Sequence, residues 1–167
     1  MYKRQGQTIT LPAPGTSASE PIYVNHMARV NADGTFDATF YPDPSATVLA
    51  LSIQSNGSFV VGGTFTSFAP NGNPTGTIRN YIGLVDSDGS LDPSFNPNAN
   101  GQVDVANVLS NGQILVAGTF TTLQPNGAAT PSQANHIAIL NADGTINPSA
   151  NAPVYAVACL LYTSRCV

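Results

Sequence analysis

Charge is scarce in this 167-residue chain: charged residues make up 8%, against about 25% in an average soluble protein. Lys3 is the sole lysine, and five cations face nine acids for a net charge of −4. Nucleic-acid binding needs clustered cations that release counterions from phosphates, so this balance argues against a nucleic-acid partner. No apolar run of about 18 residues occurs, so no membrane span is expected. No charged-then-apolar leader with a small-residue cleavage site is visible. Cysteine is limited to Cys159 and Cys166, too few ligands for a zinc site. No stretch combines a helical apolar period with caps, which leaves an all-β chain. What is plentiful is turn chemistry, with 15 Gly and 13 Pro.

The two ends read differently from the rest. Residues 159–167, Cys-Leu-Leu-Tyr-Thr-Ser-Arg-Cys-Val, can be written in codons that resemble the end of a transposon used to prepare DNA libraries, running into its own reverse complement. Residues 1–5 fit the same source once a GTG start is read as Met. Both peptides are therefore expected to be foreign and are set aside before fold reasoning. Arg29 and Arg79 are then the remaining cations, and both cysteines drop out. Residues 6–158 are expected to be an internal piece of a larger gene product.

Self-similarity governs that piece. Asp33-Gly34, Asp88-Gly89 and Asp143-Gly144 recur at a constant offset of 55 in the numbering. The same offset relates Asn56-Gly57 to Asn111-Gly112, and Gly62-Gly-Thr-Phe65 to Ala117-Gly-Thr-Phe120. It also relates Pro70-Asn-Gly72 to Pro125-Asn-Gly127, and Asn25-His26 to Asn80-Tyr81 and Asn135-His136. Three units follow: a partial one over 6–47, then 48–102 and 103–153, with a new one starting at 154.

Within a unit the pattern predicts four short antiparallel strands, here 48–54, 59–66, 81–86 and 90–95. Asn56-Gly57 reads as a two-residue hairpin turn with both residues at positive φ. The stretch 68–79, dense in Pro, Gly, Asn and Thr, reads as a loop that cannot be helix. The strands are apolar on both faces: Ile82 and Leu84 point one way, Gly83 and Val85 the other. Strands covered on both sides require sheets stacked on sheets, as in the blades of a β-propeller. Gly62-Gly63 and Ala117-Gly118 allow the close backbone approach of a crowded inner strand. The expected fold is thus all-β, with tandem four-stranded repeats forming a partial, incomplete β-propeller. A linear β-solenoid is the alternative, although its coils are usually shorter than this unit.

Val48 to Thr66, Arg79 to Ile82, and Asp88 to Asn96 together resemble the delta-60 repeat β-propeller family. The resemblance covers essentially all of 6–158. It implies a bacterial secreted or cell-surface protein with several such blades, no known enzymatic activity and no catalytic residues to carry over. The third unit departs from the pattern near its end. Asp92 to Val103 spans eleven positions, but Asn147 to Val154 only seven, after which Val154-Tyr-Ala-Val-Ala158 begins a new first strand.

Candidate chemistry is sparse. Asp86, Asp88 and Asp92 place oxygen ligands at alternating positions and form a weak calcium candidate. No Glu closes the loop at EF-hand spacing, and Asp-Gly is itself a hairpin turn whose Asx side chains can hold turn N–H groups. His26 and His136 exchange with Tyr81 across the repeat, so packed, hydrogen-bonded rings at strand ends are expected rather than metal ligands. No Gly-x-Ser-x-Gly elbow or phosphate-cradling loop occurs. No catalytic residue and no cofactor is therefore expected, calcium aside. The contact surfaces expected on a non-catalytic scaffold are the loops 68–79 and 123–135, which would take a protein or glycan, while neighbouring blades cover the sheet faces. Two other readings stay open. One makes these the blades of a propeller hydrolase or lyase whose catalytic residues lie in other repeats; the other is a calcium-stabilised repeat module.

Overall fold

The structure, a computed structural model, describes residues 24–148. The terminal peptides 1–5 and 159–167, the start of the first unit and the new strand at 154–158 lie outside the described residues.

Val48–Ile53 (β1) pairs antiparallel with Phe59–Gly63 (β2), and β2 pairs with Ile82–Val85 (β5) after the two short strands Ser67–Phe68 (β3) and Thr77–Ile78 (β4). The second full unit repeats this with Val103–Val108 (β6), Ile114–Gly118 (β7), Thr122–Leu123 (β8), Ser132–Gln133 (β9) and Ile137–Leu140 (β10). Its sheet runs β10-β7-β6. Register is copied from one unit to the next: Val61 faces Gly83 as Val116 faces Ala138. The chain is all-β, with antiparallel sheets that do not close on one another.

One turn serves five times. Gln54 N–H donates to Ser58 O at 2.8 Å and Gly57 N–H to Gln54 O at 3.0 Å. The same pair of bonds recurs at Asn31/Thr35, Asp86/Ser90, Leu109/Gln113 and Asn141/Thr145. In each turn the glycine alone takes positive φ, for example +87° at Gly57. This corrects the expected two-residue turn: the hairpins have a three-residue connection, a type I turn closed by a left-handed glycine. The residue before each glycine holds the turn from its side chain, as Asn56 Oδ1 accepts from Ser58 N–H at 3.0 Å.

The expected fourth strand over 90–95 contracts to a single bridge, Val85 to Leu91, matched by Val30 to Phe36 and Leu140 to Ile146. Asp92 ends it: its Oδ1 accepts from Ser94 N–H and Oγ–H at 2.8 and 2.6 Å, diverting the chain into a local turn. The loop 68–79 is more ordered than expected. It holds the β3–β4 ribbon and a 3₁₀ turn at Pro70–Gly72, within which Asn71 departs to φ +55°.

The diverted segment then fastens onto the next unit. Pro44 bridges Phe68 and Ala99 bridges Leu123. Asn100 Oδ1 accepts from the Thr121 and Thr122 N–H groups at 2.8 and 3.0 Å, and Ser45 Oγ plays the same part for Thr66 and Ser67. These side chains satisfy backbone donors that a two-stranded ribbon leaves open.

The apolar faces sort into two cores. Phe40, Phe65, Phe68, Val61 and Val85 form one on the side of β1-β2-β5 that meets the first unit. Val60, Ile82 and Leu84 point from the other side into a larger core with Phe95, Ile114, Val116, Phe120 and Leu140. All four residues of β5 are buried, because this sheet is sandwiched between its neighbours. In β10 only Leu140 is buried, and the other three are half-buried. Stacked sheets with two-faced strands are the arrangement of propeller blades.

Candidate functional site

The three candidate calcium ligands each accept hydrogen bonds from a different serine: Asp88 from Ser90, Asp92 from Ser94 and Asp86 from Ser58. Asp88 Oδ1 accepts from Ser90 N–H at 2.9 Å and Ser90 Oγ–H at 2.7 Å. Asp92 is engaged by Ser94 in the local turn, and Asp86 Oδ1 accepts from Ser58 Oγ–H at 3.2 Å. Asp88 thus does what Asn56 and Asn111 do in the equivalent turns, a task that requires an oxygen acceptor and not a charge. Among the described residues no group of three His, Cys, Asp or Glu converges as a metal site.

Charge nevertheless tightens these turns. Hydrogen bonds from the side chain and then the backbone of Thr35, Thr39, Ser90 and Thr145 hold Asp33, Asp37, Asp88 and Asp143 below the ordinary carboxylate value of 3.8. Since the folded pKa is depressed, the unfolded chain binds more protons in this range, and stability falls with falling pH. The contribution is complete above about pH 4 to 5, where the unfolded carboxylates are ionised, and is lost as pH drops through the folded values below 3.8. Asp33, Asp88 and Asp143 are exposed, so each contributes little, while Asp37 is half-buried beside Arg29. Thermal melts should show a decline below about pH 4, and Asp88→Asn should fold normally at neutral pH while losing less on acidification. A steeper acid loss in Asp88→Asn would contradict the turn role.

Both cations in the described residues act as fasteners. Arg29 Nε pairs with Asp37 Oδ2 at 2.9 Å, its guanidinium lies 4.4 Å over the Phe40 ring, and it donates to Ser87 O in the next unit. Arg79 is buried and donates to Ile78 O at 2.8 Å and Asp92 O at 3.2 Å, which ties the β4 end to the diverted segment. Burial lowers the Arg79 pKa, partly offset by the nearby Asp92 charge.

His26, Tyr81 and His136 share a feature that sequence patterning does not display. All three sit at positive φ, +58°, +65° and +72°. Tyr81 N–H donates to Phe65 O while its carbonyl accepts from Gly63 N–H, and His136 is held identically by Phe120 and Gly118. The repeat therefore fixes a backbone kink at the entry to the third strand, and the side chain varies. Of the packed, hydrogen-bonded rings expected here, the His136 ring has the hydrogen-bond contact, Nδ1 lying 3.2 Å from Gly118 O, but is exposed and not packed, while His26 is half-buried.

The expected contact loops present uncharged tips. Residues 71–75 and 129–133 are exposed. The 3₁₀ turn Pro125–Gly127 folds back so that Asn126 Nδ2 reaches Asp143 O at 3.4 Å. Asn126 and Asn96 lock reciprocally: Asn126 N–H donates to Asn96 O at 2.8 Å, and Asn96 N–H to Asn126 Oδ1 at 3.1 Å. Pro93, Ser94, Asn96, Asn126 and Gly127 line an open depression of about 560 Å³ at this joint. A second cleft, of about 450 Å³, separates the Asn56 and Asn111 turns and has Ile53, Val108 and Leu109 among its walls. Amides, hydroxyls and small apolar surfaces suit neutral, hydroxyl-bearing or peptide ligands. Among the described residues, neither lining contains a His, Cys or acid.

Residues 15–40, 54–95 and 109–149 match the profile of a β-propeller domain of unknown function, DUF5122. The three matched stretches follow the three sequence units and together take up more than half of the chain. No curated protein and no solved structure matches it.

Proposed function

Because this chain belongs to the DUF5122 β-propeller domain family, we propose that it is a non-catalytic scaffold. Its blades hold exposed loops for binding or adhesion in a bacterial protein of the delta-60 repeat type, secreted or displayed at the cell surface. The observation that carries this reading is the contrast between frame and tips. Side-chain clamps such as Asn100 and Ser45 fix the unit boundaries, while the tips 71–75 and 129–133 are exposed and free of ionisable groups. Rigid frames with free tips suit recognition, and an uncharged Asn/Thr/Ser surface suits a glycan or a protein rather than a polyanion. The ligand is proposed to contact the loops 68–79 and 123–135, the second of them at the depression beside Asn96 and Asn126.

The test is a glycan array and a cell-surface pull-down with the intact chain, repeated with Asn126→Ala. Binding that weakens at least threefold in the variant supports the proposal, and blanks in both assays overturn it. Millimolar calcium separates the third reading. A rise in melting temperature that chelator reverses would favour calcium-stabilised repeats, with Asp86, Asp88 and Asp92 as the first residues to replace. Turnover in a hydrolase or lyase screen would favour the enzyme reading.

A further inference from the structure

Asn56, Asn71, Asn100, Asn111 and Asn126 each precede a glycine. That pairing carries a chemistry of its own. The backbone nitrogen of the glycine has no side chain beside it as a shield, and it can attack the side-chain carbonyl carbon of the asparagine. How readily it does so depends on whether the asparagine side chain is free to turn toward it.

Four of these five side chains are held. Asn56 and Asn111 Oδ1 accept from Ser58 and Gln113 N–H, each at 3.0 Å, while Gly57 and Gly112 N–H donate to Gln54 O and Leu109 O. Asn100 Oδ1 takes the Thr121 and Thr122 N–H groups, and its Nδ2 donates to Thr121 Oγ1 at 2.9 Å. Asn126 Oδ1 accepts from Asn96 N–H at 3.1 Å, and its Nδ2 donates to Asp143 O.

Asn71 is the repeat counterpart of Asn126, and their backbones are nearly identical. The φ and ψ angles are 55° and 33° at Asn71, and 52° and 34° at Asn126. The glycines that follow have φ of +75° and +74°. Both asparagine N–H groups donate at 2.8 Å, to Tyr41 O and Asn96 O, and both residues are exposed. Only the side chains differ. Among the described residues, the Asn71 side chain has no counterpart to the bonds that tie Asn126 to Asn96 and Asp143. A brace is missing as well: Gln124 Nε2 donates to Ala128 O at 2.7 Å across the second turn, whereas Ala69 stands in the place of Gln124 in the first.

We propose that Asn71-Gly72 is a self-modification site, at which the chain deamidates with water as the one co-reactant. The Gly72 nitrogen bonds to Asn71 Cγ and closes a succinimide ring. The side-chain nitrogen leaves as ammonia, and takes up the proton that the Gly72 N–H gives up. Water then opens the ring, at one carbonyl to leave aspartate and at the other to leave isoaspartate. Either product puts a carboxylate on the tip 71–75, which otherwise has no ionisable group. This chemistry is independent of what the loop binds.

The test is to age the full chain at mildly alkaline pH, native and in urea, and to map its peptides by mass spectrometry. In the native chain Asn71 should convert about tenfold faster than Asn126, which must break its hydrogen bonds before its carbonyl carbon can turn. Asn56, Asn100 and Asn111 should lag in the same way. In urea the Asn71 and Asn126 rates should converge, since Pro-Asn-Gly is common to both. Equal native rates, conversion led by any of the other four, or an inert Asn71 while the urea-unfolded chain converts overturns the proposal. So does a difference of the same size that persists in urea, which assigns it to the neighbouring sequence and not to the fold.

Discussion

Gly118→Ala is expected to destabilise the protein by about 3 kcal/mol, lowering its melting temperature by about 10 °C. The reason lies in the inner hairpin. Pairing of β6 with β7 shifts register between Val103 and Val105, as β1 with β2 shifts between Val48 and Ala50. This bulge swings the Gln102 carbonyl inward, where it accepts from Thr119 N–H at 2.9 Å. A Cβ on Gly118 would lie 2.0 Å from that oxygen and 2.9 Å from Val103 Cα. Both are backbone atoms, so no side chain can swing aside, and relief requires breaking the bulge at the base of a buried strand. Gly63 meets Thr47 O in the same way at 2.2 Å, so the constraint belongs to the repeat and not to one unit. Gly112→Ala is the comparison. Its φ is +81° with nothing within 4 Å, so only left-handed backbone strain applies, about 1 kcal/mol. Urea midpoints for the two variants should fall in that order. If Gly118→Ala were the milder, the carbonyl would not sit where the bulge places it.

Sequence tells these two glycines apart, Gly112 in an Asn-Gly turn and Gly118 in an apolar strand, but it does not reveal the Gln102 carbonyl that a side chain on Gly118 would meet. The constant offset between Asp-Gly pairs announced the repeat, and the apolar two-faced strands announced stacking. Both follow from side-chain identity, and Val48–Ile53, Phe59–Gly63 and Ile82–Val85 fall within the stretches expected as strands. The Asp-Gly and Asn-Gly turns were legible as turns. Their geometry was not, because a three-residue connection and a two-residue one use the same residues. The missing fourth strand is another competition: Ser90 to Phe95 carries strand-like residues, but Asp92 finds Ser94 N–H locally before a ladder can extend. Tertiary fasteners such as Asn100 on Thr121 and Thr122 left no trace, since an Asn in a polar connection has no periodicity to betray it. The site was legible only as two loops. The depression beside Asn96 and Asn126 depends on a reciprocal bond between segments far apart in the chain, and composition carries no such pairing.

Phe95→Ala should cost about 3–5 kcal/mol, the usual range for emptying a buried phenylalanine site. Phe95 belongs to one unit by sequence but is fully buried in the core shared with the next, alongside Ile114, Val116 and Leu140. Its ring lies beneath the Asp143-Gly144 turn, so that a Cβ on Gly144 would meet Phe95 Cδ2 at 3.1 Å. Phe40 stands beneath Gly89 one repeat earlier, there meeting it with its backbone. The Phe95 ring therefore joins two units next to the backbone links from Asn126 to Asn96 and from Ala99 to Leu123, and its loss should be felt by both. Gly144→Ala supplies the check. In the intact protein the added methyl meets the ring and also strains a backbone at φ +81°; after Phe95→Ala only the strain remains. The double variant should thus be less destabilised than the sum of the singles, by about 1 kcal/mol, as residues in contact are expected to couple. Strict additivity, or a Phe95→Ala cost under about 1 kcal/mol, would mean that the ring does not bridge the units. Loss of the bridge should also divide one cooperative unfolding transition into two, because in repeat architectures cooperativity resides in the interfaces between neighbours.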